Sequence, residues 1–396
     1  MQKGRSKPAG IADTDADSAA RGNVLARARE PGARIVVKVG SSTLSHATGK
    51  LNLGRMDALA RELSDLANAG QRPILVTSGA VAAGMGRLGL QRRPQSLPER
   101  QAAAAVGQGL LMQIYEKLFG EYSQIVAQVL LTRDEASNRQ RYLNARHTLM
   151  KLLELSVIPI INENDTVATE ELQFGENDTL SAMVAALVGA DLLVLITDVD
   201  GLYTGDPRRE PRAVRLASVR ELTPEIKALA GGTGSALGSG GMRSKIEAAR
   251  IAVNSGCAMA LIAGEPPGLL LRLLAGEEIG TVFLPREKAL QAREHWIAFG
   301  QVPAGEVAVD AGAARAVRQG GRSLLPSGIV QVRGEFRPGD LVRVIDPDGA
   351  EVARGLVNYS HEEIARIAGR RSAELEGTLG YKGYDEVIHR DNLVCL

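Results

Sequence analysis

Arg34-Ile-Val-Val-Lys-Val-Gly-Ser-Ser42 is the stretch on which the fold turns. Its apolar residues run without alternation up to a glycine turn, the pattern of a short strand covered on both faces. Downstream, Met56, Leu59, Leu63 and Leu66 recur at helical spacing behind Asn52, a capping residue, and Gly70 stops the run. Pro73-Ile-Leu-Val-Thr77 then reads as a second strand, ending in Ser78-Gly79-Ala80. The alternation continues through a helix over 98–119, a strand over 125–131, a helix over 144–155, a strand over 157–161, a helix over 179–188 and a strand over 191–197. Continuous apolar strands separated by helices predict an α/β layer structure with an open, mostly parallel sheet.

Ligands of such sheets bind beyond the carboxyl ends of the strands. Polar clusters follow the expected strands at Gly40-Ser41-Ser42, Thr77-Ser78-Gly79-Ala80, Asn162-Glu-Asn-Asp165 and Thr197-Asp198. Lys38 ends its strand just before a glycine turn whose N–H groups suit phosphate oxygens, although a solvated strand tip has the same look. Gly238-Ser-Gly-Gly-Met-Arg-Ser-Lys245 opens a helix carrying Ile246, Ala249 and Ala252. Glycine there lets backbone approach a ligand and the helix start favours phosphate, whereas the plain alternative is a flexible loop. The chain has 10 Lys among its 47 cationic residues, so a lysine in either place departs from its usual arginine. Asp178 sits where it would cap a helix, and Asn162-Glu-Asn-Asp165 where it would form a turn; beside a phosphate site the same acids suggest magnesium or the placing of lysines. The five histidines form no ligand set, and no nucleophile–base pair stands out. A phosphate cradle, two lysines and carboxylates without a nucleophile fit phosphoryl transfer.

The totals bound the rest. A chain of 396 residues with 44% hydrophobic and 23% charged residues is long enough for two domains. Two distant cysteines, Cys257 and Cys395, point to a reducing, cytoplasmic setting rather than a disulfide framework. A net charge of +1 gives no global field for nucleic acid or membrane, and no apolar run approaches the roughly 18–20 residues of a membrane span. Residues 1–33 read as a flexible extension with a short helix over 23–29. After Pro285 the texture shifts to short β-type runs at 307–309, 329–332 and 341–345, with helices over 310–319 and 360–367. The boundary is expected near 286–296.

Four motifs carry a resemblance. Lys38-Val-Gly-Ser-Ser-Thr-Leu44, Val76-Thr-Ser-Gly-Ala-Val-Ala-Ala-Gly84, Pro159-Ile-Ile-Asn-Glu-Asn-Asp165 and Gly238–Lys245 resemble the glutamate 5-kinases of the amino acid kinase family, and Asp198-Val-Asp-Gly-Leu-Tyr-Thr-Gly-Asp-Pro207 matches related kinases too. The resemblance implies an αβα sandwich over 34–288 and ATP-dependent phosphorylation of the glutamate side chain with Mg²⁺, the first step towards proline. It also implies restraint by proline and a homo-oligomer. By position, Lys38 and Lys245 would stabilise the transferring phosphoryl group and Asp178 would hold them. Ser78, Asp165 and Asn177 would bind glutamate. Lys38, Gly40, Thr197, Asp198, Ser239, Gly240, Gly241, Met242, Arg243, Ser244 and Lys245 would bind ATP, while metal ligands stay unassigned. One departure is visible: Glu176 stands where the family often has Asp.

Residues 295–391 resemble a PUA domain, through Ala304-Gly-Glu-Val-Ala-Val-Asp-Ala-Gly-Ala313 and Ser323-Leu-Leu-Pro-Ser-Gly328. Such domains bind RNA elsewhere. From residue 291 onward, however, 13 Lys/Arg face 15 Asp/Glu, and RNA binding calls for a basic footprint. Phe336, Tyr381 and Tyr384 are expected in the core rather than stacked on bases. The competing readings are a sister kinase acting on another carboxylate and an RNA-binding regulator that has kept a kinase-like body.

Overall fold

The computed structural model describes residues 15–46, 50–90, 92, 94–132, 139–168, 177–207, 210, 212–229, 241–285, 302–318, 322–381 and 383–396. The chain forms two compact units, the first running to Ala289 and the second from Leu290 onward. In the first, strands β1 (Arg34–Val39), β2 (Arg72–Thr77), β3 (Val126–Leu131), β4 (Ile158–Glu163), β5 (Leu192–Thr197), β6 (Ser218–Val219), β7 (Ala258–Ala263) and β8 (Thr281–Phe283) make one sheet in the order β3-β4-β2-β1-β5-β7-β8-β6. Every pair from β3 to β7 is parallel, and β8 runs antiparallel to β7. The expected open, mostly parallel α/β sheet is therefore the fold found.

Period-two alternation divides β1 between two layers. Ile35, Val37 and Val39 enter a core with Met56, Leu59 and Leu63 of helix 53–68 and with Leu111, Tyr115 and Phe119 of helix 97–121. On the opposite face helix 177–188 packs against β1 and β5, and helix 242–254 packs against helix 177–188 and β7. Lys38 lies in the same alternation set as Val36, facing the layer that carries Asp178. Helix 97–121 starts with a capping box between Ser96 and Glu99, and Pro98 stands in its first turn.

Helix 80–88 was not expected from the sequence, and it crosses helix 97–121 at backbone distance. A Cβ on Gly84 would lie 1.8 Å from the Ala103 carbonyl oxygen, and one on Gly107 would lie 1.8 Å from that of Ala80. Only hydrogen fits at either place.

For residues 15–33 the expectation of a flexible extension is corrected. Asp15–Ala28 is a helix, with Leu25 and Ala28 in the main core. Arg21, 6% exposed, donates to the carbonyls of Glu277 and Ile279 at 3.0 and 2.9 Å. Arg27 pairs with Asp191 at 2.9 Å and Asp17 with Arg220 at 2.8 Å. The short helix expected over 23–29 is thus part of a longer one, which arginine contacts of Arg21 and Arg27 help to anchor. Residues 1–14 lie outside the described residues.

The second unit has a five-stranded sheet of β9 (Gly305–Val309), β10 (Ile329–Gly334), β11 (Leu341–Ile345), β12 (Glu351–Leu356) and β13 (Leu393–Cys395), ordered β10-β9-β11-β12-β13. Val307, Val309, Val342, Val344, Tyr359 and Ile364 fill its own core. Phe336 is buried there, edge-on to His361. Tyr381 and Tyr384 are not core residues: they are 46% and 62% exposed, and the Tyr381 hydroxyl donates to Glu363 at 2.7 Å.

Candidate active site

The sheet register gathers the polar clusters. Val39 lies opposite Thr77 and Ile196, Val76 opposite Ile161, and Ile196 opposite Ile262. The residues just beyond, Gly40, Ser78, Asn162 and Thr197, therefore share one edge of the sheet.

At that edge a carboxylate binds two ammonium groups. Asp178, in the first turn of helix 177–188, is 1% exposed. Its Oδ1 lies 2.5 Å from Lys38 Nζ and its Oδ2 lies 3.2 Å from Lys245 Nζ. Ser244 Oγ lies 2.8 Å from Oδ2 and 2.9 Å from the Gly241 carbonyl, two acceptors that share its one proton. Burial by itself would push the Asp178 carboxyl up. The charges of Lys38 and Lys245, helped by hydrogen bonds from Lys38 and Ser244, outweigh it and hold the group below the usual aspartate value. Residues 38, 178 and 245 thus meet from a strand end and two helix starts; the contact of Ser244 with the carboxylate was not foreseen.

Next to Lys245, Gly241 caps helix 242–254, which begins with Met242, Arg243 and Ser244. Ser239, Gly240 and Glu176 lie outside the described residues. Gly40 caps the short helix 41–44 with φ −82°, so its backbone does not demand glycine. A Cβ there would sit 3.5 Å from Lys38 Nζ, and a larger side chain would crowd the ammonium. The Thr197 hydroxyl donates to Asp198 Oδ1 at 2.9 Å, with Thr197 buried and Asp198 exposed.

On the other side stands a chain of amides. Asn177 Nδ2 lies 2.8 Å from the Thr77 carbonyl, 2.8 Å from Ser78 Oγ and 3.0 Å from Asn162 Oδ1. Asn162, 3% exposed, donates to Gln108 Oε1 at 2.8 Å. Gly79 adopts φ +105°, a left-handed conformation suited to glycine, and starts helix 80–88. Asp165 is half-buried; burial raises its carboxyl above the ordinary value, and the charge of Arg100 opposes that only in part. Asn162 and Gln108 were absent from the sequence-derived site. Asn162 was visible in its motif, but a glutamine inside an alanine-rich helix gives no signal of its own.

No group of three metal-ligating side chains gathers among the described residues. Asp178 has its oxygens engaged by two lysines and a serine, which does not suit it as a metal ligand.

Comparison with known proteins agrees with this architecture. Residues 33–264 match the amino acid kinase family and residues 305–379 match the PUA domain. A glutamate 5-kinase of Moorella thermoacetica is 57% identical, over 92% of this chain and 96% of its own. Those of Caldanaerobacter subterraneus and Carboxydothermus hydrogenoformans are 54% and 55% identical, over 92% of this chain and 98% and 97% of theirs. A solved structure of a UMP kinase from Bacillus anthracis aligns with a TM-score of 0.45 at 16% identity, over 66% of this chain and 99% of that one.

Proposed function

The chain belongs to the amino acid kinase family, among its glutamate 5-kinases, and from that premise we propose that it transfers the γ-phosphate of ATP to the side-chain carboxylate of L-glutamate. The products are L-glutamyl 5-phosphate and ADP, in the first step of proline biosynthesis. The observation that carries this reading is the convergence of Lys38 and Lys245 on one carboxylate of Asp178, beside Ser78 and Asn177.

The reaction asks for positioning more than for activation. The attacking carboxylate is already ionised at neutral pH, so no proton has to move. One of its oxygens bonds to the γ-phosphorus, the bond from that phosphorus to the bridging oxygen breaks, and the electron pair leaves on ADP. The difficulty is that two anions must meet. Lys38 and Lys245 offset their repulsion and stabilise charge on the transferring group. Asp178 keeps two like charges together in a buried place where they would otherwise repel.

In this reading Ser78 and Asn177 bind glutamate, and Asp165 receives its α-ammonium group. A carboxylate whose charged form is disfavoured by burial gains most from an arriving cation. Gly40, Thr197, Asp198 and residues 239–245 hold ATP, with the start of helix 242–254 directed to phosphate. Mg²⁺ enters with ATP as the Mg·ATP substrate.

We assign the kinase to residues 34–288, with helix Asp15–Ala28 packed on its core, and the PUA-like domain to 295–391. Proline as a feedback ligand at the glutamate site and a homo-oligomeric assembly rest on the family resemblance. RNA is disfavoured for the second unit because its charge is not basic. No described helix is long and apolar enough to cross a membrane, and we place the protein in the cytoplasm, in keeping with its two free cysteines.

The test is an ATP-dependent hydroxamate assay, in which hydroxylamine traps the acyl phosphate. Glutamate, N-acetylglutamate and aspartate are compared, with and without proline. Product with glutamate alone is expected. Product only with another acid would keep the mechanism and reject the roles given to Ser78, Asp165 and Asn177.

A further inference from the structure

Gln108 lies in the middle of helix 97–121, and its amide orientation is fixed by its surroundings. The backbone N–H of Glu163 donates to Asn162 Oδ1 at 2.9 Å. A backbone N–H has no other role open to it, so the Asn162 atom facing it is oxygen and the amide nitrogen faces Gln108. Gln108 therefore presents Oε1 to Asn162 at 2.8 Å, and its own Nε2 is left buried with no acceptor among the described residues. An orphaned buried amide donor is destabilising. Methionine or leucine at 108 would avoid that cost in a helix otherwise rich in alanine. What glutamine adds is the acceptor for Asn162.

The helix is placed to deliver it. Gly107 sits against the Ala80 carbonyl with no room for a Cβ. Tyr115, two turns on from Gln108 and on the same face, has its hydroxyl 2.9 Å from Thr77 Oγ1. These two contacts fix helix 97–121 beneath the Thr77–Ala80 turn, and between them Gln108 reaches Asn162. From there Asn162 Oδ1 accepts from Asn177 Nδ2, which also reaches Ser78 Oγ.

We infer that Gln108 is a positioning residue for the amino acid substrate: with the Glu163 N–H it holds Asn162, which together with the Thr77 carbonyl holds Asn177 and hence the Ser78–Asn177 pair. The inference rests on the reading of that pair as substrate ligands. Gln108 itself does not touch the substrate.

Gln108→Met removes the acceptor at nearly constant volume, and Gln108→Glu restores an oxygen towards Asn162. The full-length variants are assayed for KM of both substrates and for kcat, with thermal melts as a folding check. Gln108→Met is expected to raise KM for glutamate about tenfold, leaving KM for ATP within about twofold and kcat within about threefold. Gln108→Glu should bring KM for glutamate back to within about threefold of the wild type. If Gln108→Met melts early, Gln108→Ala repeats the comparison without added bulk. An unchanged KM for glutamate, an equal rise in both KM values, or a Gln108→Glu enzyme no better than Gln108→Met overturns the inference. A wild type that phosphorylates a different amino acid refutes the glutamate reading alone, and the same comparison run on that amino acid still decides the role of Gln108.

Discussion

Asp178→Asn keeps the volume of the side chain and removes its charge, so it isolates what the carboxylate does for the two lysines. The Lys38 and Lys245 side chains are 10% and 6% exposed, and Asp178 is 1% exposed. Removing one partner from a buried ionic group leaves uncompensated charge, at about 3–5 kcal/mol. That is a large share of the roughly 5–15 kcal/mol that holds a protein folded. Urea titration should show the loss as a lower midpoint with an unchanged slope. The pH dependence follows from the direction of the Asp178 shift. Its folded value lies below the ordinary aspartate value, so its contribution is present above about pH 3.9 and is lost as pH falls through the lower folded value. The stability gap between wild type and Asp178→Asn should therefore be level from about pH 5 to 8 and close below about pH 4. The lysines should also lose their placement at the transferring phosphoryl group, lowering kcat by about 10²–10³. A variant within about 1 kcal/mol of wild type at pH 7, with kcat within tenfold, would refute the claim that Asp178 organises the site.

Lys245→Ala should lower kcat far more than it raises KM for glutamate, since its charge meets the transition state; equal losses in both would contradict that role. Asp165→Ala should raise KM for glutamate at neutral pH. Because burial raises the Asp165 carboxyl, the wild-type KM for glutamate should climb on acidification from a higher pH than an ordinary aspartate would give, and this climb should vanish in the variant. An unchanged KM would reject the contact with the α-ammonium. Gly107→Ala places a methyl 1.8 Å from the Ala80 carbonyl oxygen, so it should cost at least about 1–3 kcal/mol in a denaturation midpoint and disturb glutamate kinetics with it; a stability equal to wild type would mean that the two helices part easily.

How much of this was legible beforehand depended on whether the signal was local. Arg34–Val39 announces a buried strand because all the information lies within six residues and a glycine turn. Lys38, Asp178 and Lys245 could be singled out for a related reason: each stands at the start or end of an element, next to glycine or a capping position. That the three converge was not written in any one segment, because it depends on β1 lying between β2 and β5 in parallel register. The far edge of the sheet was missed although Ala258–Ala263 is apolar throughout, since β8 has three residues and β6 two, too few to establish a period. Gln108 marks the limit most clearly. Its role follows from a backbone N–H of Glu163, passed through Asn162 across a contact 54 residues apart in sequence. The one local hint was its neighbour: a glycine in the interior of a long helix has a cost, and its presence implies that something approaches closely. Gly107 thus marked where the helix touches the Thr77–Ala80 turn, and the residue after it was the place to look for a side chain carrying that contact onward.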